Sequence, residues 1–303
     1  MDRPDTPKVL FLSSAITMAL LVIIIFGFIA WTAAPVLVKE GSGFITGTIW
    51  DYDTHQYGIL AFIAGTLVLT AVTMSMVVPV GVLTAIYLAE WAPATIEKIL
   101  RPSIELLVGI PSVVFGILGF FVLRRYFGDY VNPAIDAVVG WIPIFRDYQH
   151  GSGMGIFLAA VILSVMVLPT IVALSQEAMR AVPREFREAS LALGATKWET
   201  IRNVVLPSAF PGITTSVILA MMRAAGETMA VVMVIGNAPK IPGSILDSGS
   251  TMTSKILNDI GYHLIEAEPR SALFAIALVL FVMEIGMVAG VRAVSARMGR
   301  GMR

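Results

Sequence analysis

There is no cysteine among the 303 residues, which excludes disulfides, thiol catalysis and cysteine-ligated metals. Histidine is scarce: His55, His150 and His263 stand far apart and give no metal-ligand spacing. Charge is scarce too, at 14% of residues, where a soluble domain carries about 25%. Lys plus Arg and Asp plus Glu each number 21, so the balance offers nothing to a nucleic acid. No Gly-rich loop carries the lysine of a P-loop, so no ATP or Mg site of that kind is expected in this chain. The apolar stretches hold no Ser–His, paired-Asp or metal constellation, which argues against an enzyme. No inverted duplication of the kind often found in ion-coupled carriers is visible.

Apolar residues are abundant, at 57%, and they fall in long runs. A helix needs roughly 20 mostly apolar residues to cross about 30 Å of hydrocarbon. Six segments qualify, at about 9–37, 58–89, 103–124, 154–180, 208–238 and 271–294. They are too long and too uniformly apolar for barrel strands, so the expected fold is an all-α, multi-pass membrane protein. The run from Val9 to Ala34 reads as the first span, because it is too long for the apolar part of a cleaved signal. Pro79 predicts a kink or break in the second span, and Pro111 lies within the third. Lys and Arg in the short connections, Arg3 and Arg303 included, favour both termini in the cytoplasm by about two to one. The loops then left outside are long. "DYVNPAIDAVVGWIP" suits a short interfacial helix, with Asn132 as cap and Pro133 at its first position. "TSKILNDIGYHL" suits another, and Trp50 and Trp141 suit the headgroup level.

The connection at 181–207 differs from a passive loop. In "MRAVPREFREASLALGATKWETIRNVVLP", Pro183 can start a helix, Glu185 and Glu188 favour its first turns, and Gly194 can end it. A second helical stretch begins near Thr196 and runs to Pro207. Basic amphipathic helices often lie on a membrane surface. Here Glu185, Glu188 and Glu199 would be repelled by anionic lipid, and mixed charge with small residues suits docking into a protein groove.

These residues resemble the signature of ABC-importer permeases: Glu-Ala-Ala, three residues, Gly, nine residues, Ile, one residue, Leu-Pro. The pattern stands as Glu188-Ala189-Ser190, Gly194, Val204 and Leu206-Pro207, with Ser190 and Val204 as mild departures. "FITGTIWDYDTHQYGILAFIAGTLVLT", "GIPSVVFG" and "RAAGETMAVVMVIGN" are similar to the phosphate-specific (Pst-type) permeases, and the first of them to the PstC-like subunit. The resemblance implies a type I (MetI-like) permease core in a prokaryotic cell membrane. It implies that Glu188, Ala189, Gly194, Leu206 and Pro207 belong to a coupling helix seated on an ATPase. It also implies a PstA-like second permease subunit, two copies of that ATPase holding ATP and Mg, an extracytoplasmic phosphate-binding protein, and inorganic phosphate as cargo within a lipid bilayer. Tungstate, molybdate or sulfate remain alternative cargoes, and an ion-coupled carrier an alternative class.

One charge pair lies deep in the fifth run. An Arg at a span centre costs roughly 2.5–3.5 kcal/mol on insertion scales, so Arg223 and Glu227 need a reason. At i and i+4 on one helix they would share a face and reach each other. Three readings compete: self-neutralisation, an Arg223 contact to a passing anion with Glu227 as counter-charge, and a gate. The resemblance implies the second, and the second and third are compatible. Glu284 is a lone acid in the sixth span with no assigned role. Thr66, Thr70 and Thr73 are expected to bond back to their own helix.

Overall fold

The computed structural model describes residues 6–301, so Arg3 and Arg303 lie outside the described residues. Ten helices organise it. They are α1 (Thr6–Glu40), α2 (Leu60–Glu90), α3 (Ala94–Gly109), α4 (Ser112–Val139), α5 (Ile156–Arg180), α6 (Arg184–Ala192), α7 (Lys197–Gly226), α8 (Met229–Val234), α9 (Met252–His263) and α10 (Ala267–Gly301). A small antiparallel hairpin, β1 (Trp50–Asp51) and β2 (Gln56–Tyr57), pairs Trp50 with Tyr57 between α1 and α2. Among the described residues, α1, α2, α5, α7 and α10 are each long and apolar enough to cross a membrane. The pair α3 and α4, bent by 91°, brings the total to six.

The centre is the α2–α5 pair. Leu69 of α2 packs with Ile156, Leu158, Leu163 and Met166 of α5, and with Ala230, Val231 and Val234 of α8. Further along, Val77, Val167 and Ile171 close over Ala220 and Ala224 of α7. Ala85 and Ile86 then meet Met179, Val182, Ile201 and Val205 at the end that carries the 181–207 elbow. At the opposite, hairpin end, Phe44, Tyr57, Phe62 and Met252 pack with Ala33, Ala272 and Ile276. The outlying α1 is held to α10 by ring contacts, Phe26 on Phe281 and Phe28 on Phe274, and by a hydrogen bond from Val36 N–H to Ser271 Oγ.

The buried threonines of α2 behave as their chemistry requires. Thr66, Thr70 and Thr73 each donate a hydroxyl, at 2.8 Å, to the carbonyl four residues back. The oxygen of Thr66 also accepts the N–H of Met252 at 3.0 Å, so it helps to cap α9. Thr251 and Ser254 complete that N-terminus with a capping box. The approach requires Gly65, where a Cβ would stand 2.1 Å from the Ser250 carbonyl oxygen.

Of the kink or break expected at Pro79, no break forms. α2 runs unbroken through Pro79, with Val77 and Gly81 pressed against α5 on both sides of it. Packing of this kind holds a helix together across a missing hydrogen bond. The stretch expected as one span at 103–124 is instead divided at Ile110–Pro111, because the residue before a proline is pushed out of the helical region. The apolar helix then continues from Ser112 to Val139 and absorbs the separate helix expected at Asn132–Pro133. Asn132 is no cap. A π turn, Phe127–Val131, ends just before Pro133, and another, Ile201–Val205, ends just before Pro207. Each shifts the hydrogen-bond ladder ahead of a residue that has no N–H to give.

Candidate functional site

The elbow between α5 and α7 begins at Pro183, which immediately precedes α6. α6 stops at Ala192, and Gly194 just beyond, with a φ of +87° that suits glycine, closes the helix end. Thr196 then opens α7: its N–H donates to Glu199 Oε2 at 2.7 Å, and its hydroxyl oxygen accepts the Glu199 N–H at 3.3 Å. Glu199 is therefore spent on a capping box. The stretch expected to stop at Pro207 continues through Pro207 and Pro211 to Gly226, so the elbow and the fifth span form one rod.

α6 buries none of its residues. Phe186, Leu191 and Leu193 are exposed, the last by 89%. Glu188 and Ala189 are exposed beside them, and nothing lies within 4 Å of the place a Gly194 Cβ would occupy. Leu206 and Pro207 are half-buried, and Leu206 packs into the cluster around Ala85, Met179 and Val205. The five sequence-predicted residues thus divide: three look outward and two belong to the packing beneath. Ser190, which departs from the permease pattern, shares a hydrogen bond with Thr200 at 2.9 Å and closes the elbow on itself.

The second centre is the end of α7. Arg223 and Glu227 do not form the i,i+4 pair expected from their spacing, because the helix ends at Gly226. Glu227 is extended (φ −66°, ψ 127°), and a short new helix, α8, starts at Met229. The Glu227 carboxylate accepts the N–H of Ala230 at 3.3 Å, and its carbonyl accepts the Thr253 hydroxyl at 3.1 Å. The Thr228 hydroxyl donates to the Gly226 carbonyl at 3.1 Å. The extended backbone at Glu227 turns its carboxylate toward the free N–H groups at the start of α8. Arg223 sits in the last turn of α7, where the partial negative charge of the helix end favours a cation. Both charges thus sit at helix ends of opposite sign. Arg223 is exposed and makes no ion pair among the described residues.

Two more residues come to the break from distant helices. Thr253 reaches the break from α9, and no local pattern marks it. Glu284 of α10 comes to the same level, with its Oε1 3.6 Å from where a Gly226 Cβ would stand. The lone acid was visible in the sequence, but its neighbour was not. An exposed guanidinium is a planar, always-charged group with donors suited to an oxyanion. Among the described residues no three His, Asp or Glu gather as metal ligands.

Residues 78–300 match the family described as "Binding-protein-dependent transport system inner membrane component". The chain is 38% identical, over 257 residues (84% of this chain, 77% of the relative), to the probable ABC transporter permease protein YqgH of Bacillus subtilis. It is 35% identical, over 274 residues (89% and 83%), to the phosphate transport system permease protein PstC of Xylella fastidiosa. It is 32% identical, over 289 residues (93% and 88%), to PstC 2 of Mycobacterium tuberculosis. Its fold is similar to a chain of the bacterial alginate ABC transporter complex (TM-score 0.55, 17% identity, 98% and 99% covered). It is also similar to a chain of the MetNI methionine ABC transporter (TM-score 0.51, 20% identity, 81% and 94% covered).

Proposed function

The chain belongs to the binding-protein-dependent transport system inner membrane components, and we propose that it is the PstC-like permease subunit of an ATP-driven importer of inorganic phosphate. The observation that carries the cargo is the 35% identity to a phosphate transport permease over 89% of the chain. The break at Gly226 supports it, because Arg223 is left exposed at the end of α7, with no ion pair among the described residues, where a solute can meet it. In this reading the anion exchanges part of its hydration for the Arg223 guanidinium, and Glu227 and Glu284 keep that hold weak. Capture by a cluster of arginines would be too tight for release.

The chain works as half of a path. A PstA-like subunit supplies the other half, an extracytoplasmic phosphate-binding protein delivers the anion to the loops at the hairpin end, and two ATPase subunits dock on α6. ATP and Mg belong to those ATPase subunits. Both termini and the elbow then lie in the cytoplasm. The exposed Phe186, Leu191 and Leu193, with Glu188 beside them, support docking at α6, since a helix with no buried residue has its apolar side free for a partner. The test is uptake of labelled phosphate into cells or proteoliposomes carrying the whole complex, with sulfate, molybdate and tungstate as competitors. Uptake that requires ATP and resists the competitors is expected. Stronger competition by another oxyanion would reassign the cargo, and uptake that survives loss of ATP would overturn the importer.

A further inference from the structure

We propose that Arg187 is a positioning residue that makes the coupling helix α6 and the core helices α2 and α5 move as one body. The inference rests on the reading of α6 as the ATPase-docking helix.

α6 has no buried residue, so packing alone does not hold it to the bundle. Its Ser190 bond goes only to Thr200 within the same elbow. Arg187 reaches further. Its Nη1 donates to the Val182 carbonyl at 2.5 Å, and its Nη2 donates to the Met179 carbonyl at 2.8 Å and to Glu90 Oε1 at 2.9 Å. Met179 and Val182 lie at and just beyond the end of α5, where helix carbonyls lack partners. Glu90 is the last residue of α2, and its side chain is only 10% exposed. One planar guanidinium therefore joins three elements, which a lysine's compact ammonium cannot match in geometry.

The surroundings extend the same connection. Trp91, just past α2, stacks on Trp198 in the first turn of α7, with ring centres 5.8 Å apart and planes 20° apart. Arg180 of α5 pairs with Glu97 of α3 at 2.5 Å, and Arg101 of α3 with Glu177 of α5 at 3.6 Å. At their other reach, α2 and α5 carry Val77 and Val167, which pack on Ala220 and Ala224 on either side of Arg223 in sequence. A displacement of α6 gripped by Arg187 is thus passed along α2 and α5 to the helix turn that bears Arg223.

The experiment separates transmission from mere stability. In the full complex, Glu90→Leu with Arg187→Met replaces the ion pair with apolar groups and leaves no buried charge alone, a change that is often neutral for folding. Three readouts are taken: assembly with the ATPase, basal ATP hydrolysis, and hydrolysis stimulated by the phosphate-loaded binding protein together with labelled-phosphate uptake. The expected result is normal assembly and basal hydrolysis, with stimulation and uptake reduced at least tenfold. Arg187→Lys, which keeps the charge but not the fork, should fall between. Uptake within twofold of the parent in the double variant overturns the proposal. Loss of assembly in the double variant also overturns it, because the pair would then serve the fold. The parent complex is the control for the underlying reading: if its own uptake does not depend on ATP, the importer reading fails; if only the variants behave as the parent, the Arg187 proposal alone fails.

Discussion

At the scale of single residues, Arg223 and Glu227 show how a charge in an apolar segment is made tolerable without pairing the two. Each is placed at a helix end whose partial charge opposes its own, and Glu227 also accepts the Ala230 N–H at the start of α8. Self-neutralisation is therefore not what the break provides. Arg223→Gln should abolish phosphate uptake while the assembled complex and its ATP hydrolysis persist, as read by labelled uptake beside co-purification. Normal uptake by that variant would remove Arg223 from the anion path. The types and positions of these two residues were legible in the sequence. Their contact was not, since an i,i+4 argument holds only while the helix continues. Past the stop, Glu227 finds partners in α8 and in Thr253 of α9, 26 residues along the chain.

At the scale of elements, close approach and turn geometry decide what substitutions do. Gly65 lets α2 touch the Ser250 backbone, so Gly65→Ala should lower stability by about 1–3 kcal/mol, as overpacking does. Thermal unfolding of the purified complex measures this. Gly27→Ala in α1, with nothing within 4 Å of the added carbon, is the control and should be silent. Gly194 poses a different case. Its φ of +87° strains any β-branched residue, yet no atom of this chain stands in the way. Gly194→Val should leave the protein inserted in the membrane but weaken ATPase attachment or coupling, which co-purification and stimulated hydrolysis would reveal. Full transport in that variant would end the case for docking there. Element boundaries were the least legible part. Proline alone did not tell Pro79, which the helix absorbs, from Pro111, where it bends by 91°. The difference lies in whether a neighbouring helix packs over both flanks.

At the scale of the whole molecule, the chain exposes far more apolar surface than a soluble protein does, with Phe11, Phe121 and Trp141 each exposed by more than two-thirds. In a membrane, lipid covers such a surface. The absence of cysteine makes the chain a ready background for mapping its sides. A single Glu188→Cys should react with an impermeant thiol reagent only from the cytoplasmic face, and Tyr262→Cys, where the tyrosine is 81% exposed at the other end, only from outside. The reverse pattern would invert the proposed orientation. By itself the sequence determined the class of protein, the long apolar helices, the elbow with its caps and the identity of the charged residues, because hydropathy and capping are local properties. Only the tertiary structure decided that the fifth span breaks at Gly226, that Glu284 and Thr253 meet there, and that Arg187 ties the elbow to Glu90. Those contacts join residues distant in sequence, and their energies exist only once the helices are packed.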